Sequence, residues 1–137
     1  MKRTIAILAL MLAVGFVMGV ITERVLIAQG GPKFTTILKT DLEGLPGMEA
    51  TMSFVELAPG VQSAKHYHPG YEFAYILEGH GVLEREGKPT VELKPGVPFY
   101  NFRSDVHKVR NLSQTEPMKL VTIWITDKGK PFMTPVK

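Results

Sequence analysis

Residues 60–79 read GVQSAKHYHPGYEFAYILEG, and this stretch is the most informative part of the chain. It places His66 and His68 two positions apart, with Glu72 four positions after the second histidine and a glycine at either end. Side chains at i and i+2 of a β-strand point to the same face, so the two imidazoles can share one site. A third imidazole, His107, follows downstream, and the four side chains together predict a metal site.

Side-chain alternation predicts that this site faces the interior. On one strand Lys65 occupies the face opposite His66 and His68, and on a later strand Lys108 occupies the face opposite His107. Lysine side chains prefer water. The histidine faces are therefore expected to point away from solvent.

The flanking sequence predicts a single all-β domain. Thirteen glycines and ten prolines in 137 residues favour many turns between short strands. The candidate strands are residues 34–40, 49–57, 64–68, 72–77, 82–86, 90–93, 99–102, 106–109 and 119–126. Short strands at regular spacing are typical of a sandwich or barrel. The tail, residues 129–137, is expected to lie along the surface.

Composition excludes several classes of function. The chain has no cysteine, which removes disulfides, thiolate metal sites and cysteine nucleophiles. The formal charge is +3, and no run of lysine and arginine with interleaved aromatic residues predicts nucleic-acid binding. Any metal must therefore be held by nitrogen and oxygen ligands.

The N-terminus predicts a targeting segment. Lys2 and Arg3 precede an uncharged, mostly apolar run over residues 4–22. We interpret residues 1–28 as a hydrophobic helix that is either a cleaved signal peptide or an uncleaved membrane anchor. Positive charge before the apolar run keeps that end in the cytoplasm.

The remainder of the chain is then expected to be exported. Residues 29–33 predict a linker, and residues 34–137 the β-domain. This domain would be periplasmic or extracellular, either soluble after cleavage or anchored in the cytoplasmic membrane.

The spacing around the histidines resembles the first motif of the cupins. These are small double-stranded β-helix, or jelly-roll, proteins. Gly60, His66, His68, Glu72 and Gly79 match that motif without a gap.

The second cupin motif is matched in part. Gly96, His107 and Asn111 occupy its expected positions. Phe102 stands where the motif has proline, and Ser104 stands where it has glycine. These departures concern the loop before His107 more than the metal site.

The resemblance implies a jelly-roll barrel with one metal. His66, His68, Glu72 and His107 would hold a divalent first-row transition metal, namely Fe, Mn, Ni, Cu or Zn. Such a site leaves coordination positions open for water or a substrate. Cupins include dioxygenases, isomerases and non-catalytic proteins, so the fold alone does not select a function. From the four ligands and the open positions we expect a dioxygenase- or isomerase-like activity on a small oxygenated organic molecule. The alternative is a module that binds or senses a small molecule or a metal without turnover.

Further side chains are assigned from their positions on or beside the predicted strands. Phe99 and Ile76 are candidate substrate contacts, whereas Trp124 is expected to serve core or interface packing. His80 falls outside the motif and is expected at the surface. Asn111, at the end of the His107 strand, is expected to support a turn or a ligand.

The strand that carries Glu72 is apolar on both faces. Phe73, Tyr75 and Leu77 lie opposite Glu72, so another layer should cover them. The domain's own first strands or a second subunit could supply that layer. We expect a homodimer formed through an apolar sheet face.

Overall fold

The computed structural model describes residues 30–136, and within that range the chain is all β. Residues from Gly31 onwards form one compact unit. The strands are β1 (Lys33–Asp41), β2 (Met48–Leu57), β3 (His66–Tyr67), β4 (Gly70–Glu78), β5 (Gly81–Arg85), β6 (Val91–Leu93), β7 (Pro98–Asn101), β8 (His107–Asn111), β9 (Met118–Asp127) and β10 (Thr134–Pro135).

The strands form two antiparallel five-stranded sheets. One has the order β1-β2-β9-β4-β7, and the other has the order β10-β3-β8-β5-β6. Neighbours within a sheet come from distant parts of the sequence; β2 and β9, for example, pair over ten residues each. This arrangement confirms the predicted all-β double-stranded β-helix.

The core lies between the two sheets because the strands alternate apolar and outward-facing residues. In β4 the buried side chains Glu72, Ala74 and Ile76 alternate with exposed Phe73 and Tyr75. The fully buried apolar side chains come from both sheets: Leu57, Ile76, Leu83, Leu93 and Met118. Each contributes roughly 1.5–3 kcal/mol by leaving water.

The outer face of the first sheet is apolar and exposed. Tyr100, Phe73, Ile123 and Met52 pair in one row across β7, β4, β9 and β2. Phe73 is 46% exposed, and Tyr75, in the next row, is 50% exposed. The first strands do not cover this face because β1 and β2 lie in the same sheet as β4.

Strand boundaries differ most at the histidine strand. The expected strand over residues 64–68 is only His66–Tyr67, and β4 begins two residues earlier than expected, at Gly70. A Cβ at Gly70 would lie 1.9 Å from the Ile125 carbonyl oxygen, so β4 and β9 can approach this closely only at a glycine. Pro69 interrupts the histidine strand just before that close approach.

The C-terminal tail is part of the fold. Its strand β10 pairs with β3, with Thr134 opposite Tyr67 and Pro135 opposite His66. The expectation that residues 129–137 only follow the surface was incomplete. The tail contains two prolines and few apolar residues, so its sequence did not predict β10, which lies beside His66.

The loop before His107 accounts for both departures from the second motif. Ser104 has φ 65°, which is the left-handed conformation that glycine adopts most easily. The backbone N–H of Phe102 donates to an Asp105 carboxylate oxygen at 3.0 Å, a hydrogen bond that proline could not make. The turn is therefore kept with different residues.

The N-terminal prediction lies outside the described residues, since residues 1–29 are not described. Within residues 30–136 no helix is long and apolar enough to cross a membrane.

We predict that Ser104→Gly stabilises the domain by about 0.5–1 kcal/mol. Relief of left-handed strain, about 1–2 kcal/mol, exceeds the added flexibility of glycine in the unfolded chain. Urea denaturation would show a higher midpoint at an unchanged slope. Ser104→Ala keeps the strain and is the matched control, with no expected gain. Equal effects of the two substitutions would contradict this account.

Candidate metal centre

Three histidines converge between the sheets. His66 on β3 pairs in register with His107 on β8, and His68 follows β3 by one residue. The ring centroids of His66 and His107 lie 4.3 Å apart, and His68 lies 4.9 Å and 5.1 Å from them. All three are buried, and each offers a ring nitrogen within 4.8 Å of the others.

Backbone carbonyls orient all three rings in the same way. The Nδ1 atoms donate to the carbonyl oxygens of Ala64, Asp105 and Phe132, at 2.7 Å from His66, 2.8 Å from His107 and 2.6 Å from His68. A neutral imidazole that donates through Nδ1 keeps its lone pair on Nε2. The three rings are therefore held so that each can offer its Nε2 lone pair to a metal.

Glu72 completes the cluster from the opposite sheet. Its Oε2 lies 3.4 Å from His68 Nε2 and 3.2 Å from His107 Nε2. Burial would raise the pKa of this carboxyl, but its close contacts with the His107 and His68 rings lower it below its usual range. The group is therefore a carboxylate at neutral pH.

The His66 ring carries no positive charge at neutral pH. Burial, opposed by the hydrogen bond to Ala64, lowers the pKa of His66 to about 4, so its ring is neutral at physiological pH. Neutral Nε2 atoms and a carboxylate oxygen are all acceptors, and a cation is the species that fits between them. The donor set thus suits a divalent metal.

Asn101 is a further residue of this centre that sequence reasoning missed. It pairs with Glu72 across β7 and β4, and its Nδ2 donates to Glu72 Oε2 at 2.6 Å. The side chain is 1% exposed. Asn101 lies two residues after Phe99 and therefore on the same face of the strand, which is the signal that could have placed it inside the barrel.

The centre opens into a largely apolar cavity. Phe99 forms part of the wall of this cavity. Ile76 is fully buried in the core and is not among the described lining residues, because it lies further along β4 than Glu72. A substrate here would contact Phe99 but not Ile76.

Trp124 packs in the core, as expected, and it also lines the cavity. It is 3% exposed, with its indole 5.9 Å from the His68 ring. The tail also reaches this wall, since Phe132 lies 5.1 Å from the Trp124 ring. The sequence indicated core or interface packing for Trp124 but could not show that a cavity lay beside it.

His80 and Asn111 both lie outside the metal cluster. His80 is exposed and lies 3.0 Å from Glu92, away from the cavity. Asn111 is buried, and its Nδ2 donates to the carbonyls of Leu57, Ala58 and Glu116. It therefore stabilises the chain segments that carry these carbonyls and is not one of the clustered metal-ligand candidates.

Known structures share this fold. A double-stranded β-helix protein from Klebsiella pneumoniae has 18% identity over 80% of this chain and 87% of its own, with a TM-score of 0.64. A cupin-like protein from Thermotoga maritima has 22% identity over 78% and 77%, with a TM-score of 0.62. The DMSP lyase DddQ from Ruegeria pomeroyi has 22% identity over 76% of this chain and 52% of its own, with a TM-score of 0.59.

These identities establish a common fold and nothing finer. No curated protein matches the sequence. The Cupin domain family model matches residues 53–125, which is more than half of the chain and contains all four clustered side chains. The chain belongs to the Cupin domain family.

Proposed function

We propose that this protein is a metal-dependent cupin that acts on a small oxygenated organic molecule by dioxygenase- or isomerase-like chemistry. The observation that carries the proposal is the convergence of three oriented imidazoles and one carboxylate beside an apolar cavity. His66, His68, His107 and Glu72 would hold the metal.

The donor set defines the class of metal. Three neutral nitrogens and one carboxylate suit Fe, Mn, Ni, Cu or Zn better than Mg or Ca, which prefer oxygen ligands. When bound, such a metal would polarise an oxygen atom of the substrate or lower the pKa of a bound water.

The protein's own side chains contribute orientation and exclusion of water. Asn101 holds the Glu72 carboxylate, and the backbone carbonyls fix the histidine tautomers. Among the described lining residues the titratable side chains are His66, His68, His107 and Glu72. With no separate acid or base in the wall, reactions that a metal can activate unaided are favoured.

The same feature supports the alternative, a module that binds or senses without turnover. A wall without a separate general acid or base can also hold a ligand unchanged. Under either proposal the domain works outside the cytoplasm, on the strength of the N-terminal sequence. Residues 1–28 would serve as its signal peptide or its membrane anchor.

Glu72→Ala should weaken metal binding while the barrel still folds, because its stability comes mainly from the apolar faces of the strands. Asn101→Ala removes only the group that orients Glu72 and should cost about 10–100-fold in affinity. Zinc titration and elemental analysis measure the binding, and circular dichroism measures the fold.

Glu78→Ala is the matched control for this prediction. Glu78 lies on the same strand but is exposed and ion-paired with Lys119, so metal affinity should not change. A folded wild-type protein that binds no divalent metal would refute the proposal. Unfolding of the Glu72 variant would instead make the metal structural.

A turnover screen separates the enzyme from the binding module. Metal-loaded protein is incubated with phenolics, diketones and sugar acids, and O₂ uptake and product formation are followed. Dioxygenase chemistry consumes O₂, and isomerase chemistry gives product without it. His66→Ala should remove the activity, whereas His80→Ala, at an exposed position, should retain it. Ligand binding without any turnover would favour the alternative.

We further propose that two copies of the chain pair through the exposed face of the first sheet. Its two central rows, Tyr100–Phe73–Ile123–Met52 and Pro98–Tyr75–Val121–Phe54, contain no charged side chain. A second copy presents the same uncharged face, so pairing would bury apolar area without burying a charge.

Sedimentation should therefore give a dimer at micromolar concentration. Phe73→Lys puts a charge at the centre of the face and should yield monomers with an unchanged fold. Glu92→Lys, on the exposed side of β6, is a control outside this face and should remain dimeric. A monomeric wild-type protein would contradict the proposal.

A further inference from the structure

Besides the metal-ligand candidate His68, two buried polar side chains in the cavity wall lack a hydrogen-bond partner. Thr122 and Trp124 are 1% and 3% exposed, and both line the cavity. Neither the Thr122 hydroxyl nor the Trp124 indole N–H has a hydrogen-bond partner among the described residues. A buried polar group without a partner costs about 1–3 kcal/mol. Such a pair facing a cavity points to a bound molecule that supplies the missing partner.

The pair lies beside the metal ligands. Trp124 is directly opposite Glu72 in the β4–β9 ladder, and Thr122 is opposite Ala74, the next inward residue. The Trp124 ring also lies 5.9 Å from the His68 ring. A small molecule that reaches the cluster would therefore lie beside both residues.

Aromatic neighbours hold the indole in place. Its ring is 5.9 Å from Phe34 on β1 and 5.1 Å from Phe132 in the C-terminal tail. An indole packed on two sides loses little freedom when it donates a hydrogen bond to a ligand. The N–H is therefore a preorganised donor.

The rest of the wall limits the charge of the ligand. The apolar side chains in the wall are Pro32, Phe34, Val55, Leu57, Phe99, Val109, Leu120, Phe132 and Met133. The described lining residues include no lysine and no arginine. A carboxylate or phosphate placed against Thr122 and Trp124 would lose its hydration without gaining a cationic side chain.

We propose that Thr122 and Trp124 form a substrate-orienting subsite for a neutral oxygen atom. The indole N–H and the hydroxyl would donate to a carbonyl or hydroxyl oxygen of a compact, mostly apolar molecule, and the apolar wall would enclose its carbon skeleton. This inference deepens the proposed function and rests on it for the reaction, but the subsite itself can bind a ligand without metal.

The single tryptophan makes the subsite directly observable. In an ¹H–¹⁵N correlation spectrum of the full chain, the only indole N–H cross-peak reports on Trp124. The probes are cyclohexanone, its hydrocarbon isostere methylenecyclohexane, and cyclohexanecarboxylate. Cyclohexanone should shift the peak downfield and bind more tightly than the other two.

The variants separate hydrogen bonding from packing. Thr122→Val keeps the shape of the side chain and should weaken cyclohexanone about three- to tenfold, as expected for one neutral hydrogen bond, without changing binding of the hydrocarbon. Thr126→Val is the matched control, because Thr126 is buried on the same face of β9 but is not among the described lining residues. It should leave both affinities unchanged.

Each titration is run on metal-free and on zinc-loaded protein. A cyclohexanone-specific shift in either form supports the subsite, even if zinc binding fails and the proposed function falls. Zinc binding without any indole shift overturns the subsite and leaves the metal centre standing. Equal binding of cyclohexanone and methylenecyclohexane, or tighter binding of cyclohexanecarboxylate, also overturns it.

Discussion

The candidate centre depends on three hydrogen bonds from histidine Nδ1 atoms to backbone carbonyls. These bonds, to Ala64, Asp105 and Phe132, leave the Nε2 lone pair of every ring free to bind a metal. Rotation of one ring would replace a metal donor with an N–H. The carbonyls come from a loop before β3, a loop before β8 and the C-terminal tail, so the barrel must close before the donor set exists.

The two faces of the first sheet divide the chemistry. Its inner face carries Glu72, Asn101, Thr122 and Trp124, whereas the two central rows of its outer face are apolar or aromatic and carry no charge. Since adjacent residues of a strand point to opposite sides, one strand can serve the metal centre and a subunit interface at once. β4 has this division, with Glu72 inside and Phe73 outside.

Much of the fold was predictable because strand alternation and turn residues are local signals. The expected strands correspond to observed strands, with small shifts at their ends. The errors arose where a distant contact decided the outcome. β4 begins at Gly70, where the Ile125 carbonyl oxygen of β9 leaves no room for a Cβ. β10 forms by pairing with β3. Ser104 could depart from the glycine of the motif because the surrounding turn maintains its positive φ.

The sequence by itself determined which side chains could meet, because the two-residue period of a strand sends His66, His68, Glu72 and His107 to the interior. It also determined that any metal is held by nitrogen and oxygen, since there is no cysteine. Only the tertiary structure decided what surrounds them. It brought Asn101 to Glu72, Phe132 to His68, and Trp124 to the cavity wall, and it left Ile76 in the core. Those neighbours are set by the pairing of strands far apart in the chain, and a local pattern carries no information about that pairing.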